Sequence, residues 1–249
     1  MKLRLDQLLV RRGLVASRER AQALIMAGQV DLDGRGAAKA GTMVSEHAAV
    51  TVIGPDHPWV SRGGVKLAHA LETFGIDVTG KLAVDIGAST GGFTDVLLTR
   101  GARQVVAVDV GHNQLHWRIR TDPRVVVVEG MNARHMTAES LPALAGGADV
   151  ATVDVSFISL ALILPALTTI VTPDVDVIAL VKPQFEAGRK DSPKGVVRDP
   201  AVHARVQAEV AAKAAAIGWT RVASTPSPIV GAKGNREFLM HLRLARLQA

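Results

Sequence analysis

The sequence predicts an α/β fold: a doubly wound, mostly parallel sheet with an antiparallel terminal strand, preceded by a small α+β module. Three observations carry that prediction. Beyond residue 80, short apolar runs alternate with helix-like segments; a glycine-rich turn joins the first run to the first helix; and Gly54, Pro55 and Pro58 break the chain after a basic N-terminal stretch. A chain of 249 residues holds one large domain or two unequal ones.

The first helix is expected over Leu3 to Gly13, with Leu5, Leu8, Leu9 and Val10 as its apolar positions and Gly13 as its terminator. Ser17 offers an N-cap for a second helix, Arg18 to Ala27, whose inward side is Ala21, Leu24 and Ile25. Strand-like pieces follow at Val30 to Leu32 and Ala49 to Ile53, each before a turn signal. The expected organisation is a module over residues 1–55, a linker over 56–61 and the larger domain over 62–249.

In the larger domain, Leu82 to Ile86, Gln104 to Val108, Arg124 to Val128, Asp149 to Val153 and Val175 to Val181 read as buried strands. Helices are expected from Gly92 to Arg100, around Gln114 to Arg120, and from Pro200 to Ile217. Arg221 to Ser224 and Glu237 to Leu244 then close the sheet as a terminal pair. The polar loop from Glu186 to Asp199 is a candidate substrate-binding flap.

Composition narrows the chemistry. With 48% hydrophobic and 21% charged residues the chain is an ordinary globular protein. Of its net charge of +6, an excess of four falls in residues 1–66, which suggests a polyanion partner, against the plainer reading of a solvated basic surface. No cysteine is present, which excludes disulfides, thiolate metal sites and the cysteine nucleophile needed to methylate pyrimidine carbon-5. It also fits a reducing compartment. The N-terminus lacks the apolar core of a secretory signal. Val155 to Pro173 is uncharged and nearly long enough to span a bilayer, but Pro165 and Ser156, Ser159, Thr168 and Thr169 interrupt it, so a buried helix is expected there.

The turn Asp85-Ile86-Gly87-Ala88-Ser89-Thr90-Gly91-Gly92-Phe93 runs from a strand through glycines into a helix, a cradle for a nucleoside cofactor. Its spacing is not Gly-x-Gly-x-x-Gly, and an acidic residue ends the strand. That carboxylate suits a cationic, phosphate-free ligand such as S-adenosylmethionine. Asp109 ends the next strand, where it can take both ribose hydroxyls, and Asn132 is placed to read an adenine edge. A tight structural connection is the competing reading of the turn.

Asp154 and Lys182 end two further strands, at the edge where α/β folds bind ligands. Lys182 follows five apolar residues, so it must pair or lose its charge. A ribose hydroxyl is a very weak acid; a lysine can take its proton, or as a cation stabilise the forming alkoxide. Lys66 and Glu237 could fix that lysine, though sequence spacing does not place them. The Asn- or Asp-Pro-Pro-aromatic sequence of amine-methylating enzymes is absent after Asp154.

These residues carry a resemblance. The C-terminal part resembles the FtsJ-like 2′-O-ribose methyltransferases, whose Lys-Asp-Lys-Glu tetrad matches Lys66, Asp154, Lys182 and Glu237. The N-terminal pattern running from Arg4 through Gly13, Ser17, Arg18 and Gly28 to Asp33 and Gly34 resembles the alpha-L RNA-binding domain. The two in this order are similar to the TlyA family. The resemblance implies a Rossmann-like class I S-adenosylmethionine-dependent methyltransferase, cytoplasmic and without a metal, acting on cytidine ribose in rRNA of one or both ribosomal subunits. The turn from Asp85 to Phe93, with Asp109, Asn132 and Asp154, would hold the cofactor. Arg4, Arg18, Lys39, Arg62 and Arg189 are the expected RNA contacts. An aromatic content of 3% without tyrosine argues against a stacking platform. The alternatives are a non-catalytic rRNA-binding assembly factor and a membrane-acting haemolysin.

Overall fold

The computed structural model describes residues 2–15, 17–26, 28–36, 39–52, 57–188 and 190–244, and the chain divides into two units, Met1–Pro58 and Trp59–Ala249.

In the first unit, β1 (Lys2–Arg4) leads straight into α1 (Leu5–Arg11), followed by α2 (Arg18–Met26), β2 (Val30–Leu32), β3 (Arg35–Gly36), β4 (Met43–Ser45) and β5 (Val50–Val52). The helix spacing of apolar residues decides what packs: Leu5, Leu8 and Leu9 of α1 meet Ala21, Leu24 and Ile25 of α2 over Val30, Val44 and Val50. The Ser17 hydroxyl accepts the Arg20 N–H at 3.2 Å, so the expected cap forms. The first helix starts later than expected. Lys2–Arg4 pairs antiparallel with Met43–Ser45 instead of coiling, and β2 pairs with β3 and β5 in a second small sheet.

The second unit contains α3 (Gly63–Phe74), β6 (Leu82–Ile86), α4 (Gly92–Thr99), β7 (Gln104–Val108), α5 (Trp117–Arg120), β8 (Val125–Val128), β9 (Ala148–Val153), α6 (Leu164–Leu167), β10 (Val171–Val181), α7 (Pro183–Glu186), α8 (Pro200–Ala215), β11 (Trp219–Pro226) and β12 (Phe238–Leu244). Its seven strands lie in the order β11-β12-β10-β9-β6-β7-β8. Strands β10, β9, β6, β7 and β8 are parallel; β12 is antiparallel to both of its neighbours. Strand alternation splits the core into two layers. Val84, Ile86, Ala151, Val153, Val177 and Ala179 face Leu164, Leu167, Val206 and Val210, while Ala83, Val105, Val150, Ile178 and Leu180 face Leu67, Leu71, Val96 and Leu97. The order reverses at β6, which has β7 on one side and β9 on the other. That reversal opens a crevice above the carboxyl ends of β6 and β9, where folds of this kind bind ligands.

Three expectations change. Helix α3 was not foreseen in the sequence: it opens on Gly63 and Gly64, and glycine is a poor helix former. Val155 to Pro173 does not form one buried helix: it holds a 3-10 turn at Leu160–Leu162 and the four-residue α6 with Pro165 in its first turn, and its end already belongs to β10. The linker expected over 56–61 ends sooner, since Trp59 and Val60 pack against the α3 and α4 layer. Residues 53–56, including the start of that linker, lie outside the described residues. Among the described residues, no helix is long and apolar enough to cross a membrane.

Candidate active site

Glycine shapes the turn after β6. The Gly87 and Ala88 N–H groups both donate to Val108 O of the neighbouring strand, at 2.8 and 3.1 Å. Gly87 has φ +82°, and a Cβ there would lie 2.4 Å from Asp154 O, so the turn can approach β9 only without a side chain. At the start of α4, a Cβ on Gly92 would lie 2.2 Å from Ser61 Oγ and 2.9 Å from Gly64 N. Helices α3 and α4 therefore begin in contact, which brings the first turn of α3, with Lys66, over the crevice.

Register then explains how residues from four parts of the chain share one face. Asp154 continues the alternation of Val150 and Thr152, and Lys182 that of Ile178 and Leu180, all on the α3 side. Strand β12 runs antiparallel, so its start meets the carboxyl ends of its neighbours; with Val181 opposite Phe238, Lys182 falls one step on, opposite Glu237. The side chains form two ion pairs. Lys66 Nζ donates to Glu237 Oε2 at 2.6 Å, and Lys182 Nζ lies 2.5 Å from Asp154 Oδ1 while donating to Ser156 Oγ at 2.9 Å. Lys66 and Lys182 are each 9% exposed and Glu237 4%, so neither lysine is a free surface charge. Gln184 Nε2 donates to Glu237 Oε1 at 3.3 Å.

All four residues line one cavity of about 380 Å³, together with Gly87, Ala88, Ser89, Thr90, Gly92 and Phe93 of the turn. A second cavity of about 440 Å³ shares Gly87, Ser89 and Asp154 with it, and is lined by Asp109, Asn132 and the apolar Val108, Met131, Ile158 and Ile163. Asp109 is oriented by the turn, its two oxygens accepting the Ser89 and Gly111 N–H groups at 2.8 and 2.7 Å. Asn132 Oδ1 accepts the Arg134 N–H at 3.1 Å, which leaves its amide nitrogen for another partner.

Two residues expected at the cofactor line neither cavity. Asp85 is fully buried behind the turn, where its carboxylate accepts hydrogen bonds from Thr94 Oγ1 at 2.7 Å and Thr152 Oγ1 at 2.8 Å. Burial pushes its pKa up to about 6; the two threonine hydroxyls oppose that rise and the nearby Asp154 charge adds to it. The alternation that turns Ala83 toward α4 turns Asp85 the same way, so it braces the turn instead of meeting a ligand. Gly91, at φ +92°, packs against Leu115 and Ile119.

The expected RNA contacts fare unevenly. Arg62 is exposed and lines the first cavity. Arg4 donates twice to Asp6, at 3.0 Å each, and Arg18 once at 3.3 Å. The Arg4 guanidinium holds the buried Asp6 carboxyl well below the usual carboxylate range, against the opposing effect of its burial. Lys39 is exposed, and Arg189 lies outside the described residues. Aromatic surface was missed: Phe157, 90% exposed at φ +65°, lies 4.9 Å from Phe185 between ring centroids, and both line the first cavity. Ser156 and Gln184 were missed as well, although both sit inside the motifs that supplied Asp154 and Lys182.

Residues 59–244 match the FtsJ-like methyltransferase family and residues 3–50 match the S4 domain. The chain is 50% identical over 244 residues to a Mycobacterium tuberculosis protein named 16S/23S rRNA (cytidine-2′-O)-methyltransferase TlyA, covering 97% of this chain and 90% of that one. It is 40% identical to Hemolysin A of Brachyspira hyodysenteriae, covering 96% of this chain and 99% of the other. A solved structure from Streptococcus thermophilus, described as a candidate hemolysin, superimposes with a TM-score of 0.77 at 44% identity, covering 98% of this chain and 89% of that one. The chain therefore belongs to the FtsJ-like methyltransferases, within the TlyA family that places an S4 domain before the methyltransferase domain.

Proposed function

We propose that this chain transfers a methyl group from S-adenosylmethionine to the ribose 2′-hydroxyl of a cytidine in ribosomal RNA, of one or both subunits, in the cytoplasm. The observation that carries the reading is the meeting of Lys66, Asp154, Lys182 and Glu237 in one cavity beside the glycine turn. The substrate class is supported by the activity named for the Mycobacterium tuberculosis relative.

The residues present fit the donor. The second cavity has the size of a small-molecule site, with an apolar slot for adenine and the Asp109 carboxylate for a ribose diol. When bound, S-adenosylmethionine supplies an electrophilic methyl on a sulfonium centre. Gly87 and Ser89 of the turn border both cavities, so they are placed to orient it.

Lys182 is the group that meets the ribose oxygen. An ammonium has three N–H donors. Ser156 Oγ accepts one and Asp154 Oδ1 lies at ion-pair distance, which leaves a donor for substrate. Lys182 acts either as the neutral amine that takes the hydroxyl proton or as the ammonium that stabilises the forming alkoxide. Lys66 and Glu237 neutralise each other alongside, so each lysine enters the reaction with a carboxylate partner. Phe157 and Phe185 offer ring faces at the same cavity, where a base taken out of its stack would rest.

Transfer of radiolabelled methyl from S-adenosylmethionine to purified rRNA tests the reading. Lys182→Ala should lower the rate by roughly 100-fold or more, the scale of a lost acid–base or electrostatic group, while RNA affinity stays nearly unchanged. A variant as active as the wild type would refute the assigned role.

A further inference from the structure

Two short loops meet at the rim of the first cavity, and each presents a lysine in a conformation that favours glycine. Lys194 (φ 56°, ψ 22°) lies in the Pro193–Gly195 turn and Lys233 (φ 56°, ψ 20°) in the Ala232–Gly234 turn, each followed by a glycine that also has positive φ. A side chain with a Cβ is disfavoured in this region, and such strain persists where the surrounding structure over-determines it.

Asn235 supplies that structure. Only 3% exposed, it accepts the Val197 N–H at 3.0 Å and donates to Gly195 O at 2.9 Å, fastening one loop to the other. Its own carbonyl accepts the N–H of Gly231 at 2.8 Å, and Gly231 lines the cavity beside Glu237. Lys233 Nζ reaches to 3.9 Å from where a Cβ on Gly195 would stand, so its ammonium lies against the loop that carries Lys194.

The charge around them is one-sided. Lys194 and Lys233 are exposed, as are Arg198, which follows the Val197 that Asn235 holds, and Arg236, which follows Asn235 itself. The acidic residues of the same loops are engaged elsewhere. Asp191 pairs with Arg205 at 2.5 Å, Asp199 caps α8 through the Ala201 N–H at 2.8 Å, and Glu186 holds Ser159 Oγ and the Leu160 N–H. Among the described residues neither lysine has an acidic partner within ion-pair distance. A rigid cationic rim beside a cavity that takes one nucleotide fits the phosphates flanking that nucleotide.

We propose that Lys194 and Lys233, locked together by Asn235, form a clamp for the RNA backbone next to the nucleotide that enters the cavity. The inference rests on the proposed RNA substrate and adds to it how the strand is held at the rim.

The test is the salt dependence of binding between the full chain and purified 16S and 23S rRNA. The Lys194→Asn/Lys233→Asn double variant removes both charges with a residue that tolerates left-handed backbone. A second double variant, Lys194→Gly/Lys233→Gly, removes them while relaxing the backbone. Lys213→Asn, an exposed lysine on α8, serves as the control. Each lost phosphate contact lowers the log–log salt slope by about 0.7 to 0.9, so both double variants should lose roughly 1.4 to 1.8 and the control much less. Binding of S-adenosylmethionine should be unchanged in all of them. A slope in the double variants equal to that of Lys213→Asn would overturn the clamp. If the wild type binds and methylates rRNA while the double variants match it, only the clamp fails. If the wild type neither binds nor methylates rRNA, the proposed function fails with it.

Discussion

Lys66 Nζ and Glu237 Oε2 meet at 2.6 Å although 171 residues separate them in the chain. The contact joins the first turn of α3 to the start of β12, and both groups are largely withdrawn from water. Removing one partner leaves the other buried and uncompensated, which costs about 3 to 5 kcal/mol; replacing both by apolar residues of similar size costs far less. Lys66→Met and Glu237→Leu should each destabilise the protein by that amount in urea unfolding, and the double variant should recover most of the loss. All three should be inactive in methyl transfer. Additive stability losses would show that the pair does not interact as described.

Asp85 makes stability depend on pH in the direction opposite to a salt-bridged carboxylate. Its folded pKa of about 6 lies above the unfolded value near 3.9, so the folded chain holds this proton more tightly. Between those values the native state carries more protons than the unfolded one, and stability falls as pH rises. The contribution is complete below about pH 4 and gone above about pH 6. Asp85→Asn should therefore match the wild type near pH 4 and exceed it at pH 7 by up to roughly 3 kcal/mol. Urea midpoints at both pH values check this; an unchanged pH slope in the variant would contradict it.

Gly87 and Gly218 separate backbone strain from collision. Both have positive φ, +82° and +89°, but a Cβ on Gly218 meets nothing within 4 Å, whereas one on Gly87 would strike Asp154 O at 2.4 Å. Gly218→Ala should cost about 1 to 2 kcal/mol and leave methyl transfer intact. Gly87→Ala carries the same strain and must also push the turn away from β9. It should lower Tm further and abolish calorimetrically detected binding of S-adenosylmethionine. Equal behaviour of the two variants would mean the close approach is dispensable.

Ser156 Oγ accepts one N–H of Lys182 and so helps to aim its ammonium. Ser156→Ala should lower kcat about 10-fold, with the KM values for rRNA and S-adenosylmethionine nearly unchanged. Lys182→Arg discriminates between the two chemical roles, because a guanidinium can stabilise an alkoxide but cannot take a proton. Measurable transfer by Lys182→Arg would assign Lys182 as an electrostatic stabiliser. Complete loss would assign it as the base.

The sheet was legible because its strands are unbroken apolar runs; Leu82 to Ile86 and Gln104 to Val108 form as the sequence predicts them. Helix α3 was not, since the glycines that let it touch α4 are the residues that usually end helices. Sequence spacing could not place Lys66 and Glu237 beside Lys182, because their meeting depends on α3 and on the antiparallel return of β12. Asp85 was assigned to the ligand because it sits in the right motif. Strand alternation with Ala83, and the hydroxyls of Thr94 and Thr152, explain its inward turn. Phe157 escaped because overall aromatic content says nothing about where a single ring is displayed.

Mass-spectrometric mapping of 2′-O-methylcytidine in rRNA addresses the central assignment directly. Cells lacking this gene would be complemented with the wild-type chain or with Lys182→Ala. The wild type should restore methylation at one or a few defined cytidines, and Lys182→Ala should leave those sites bare at equal protein abundance. Identical methylation maps in the two strains would contradict a lysine-centred ribose methyltransferase.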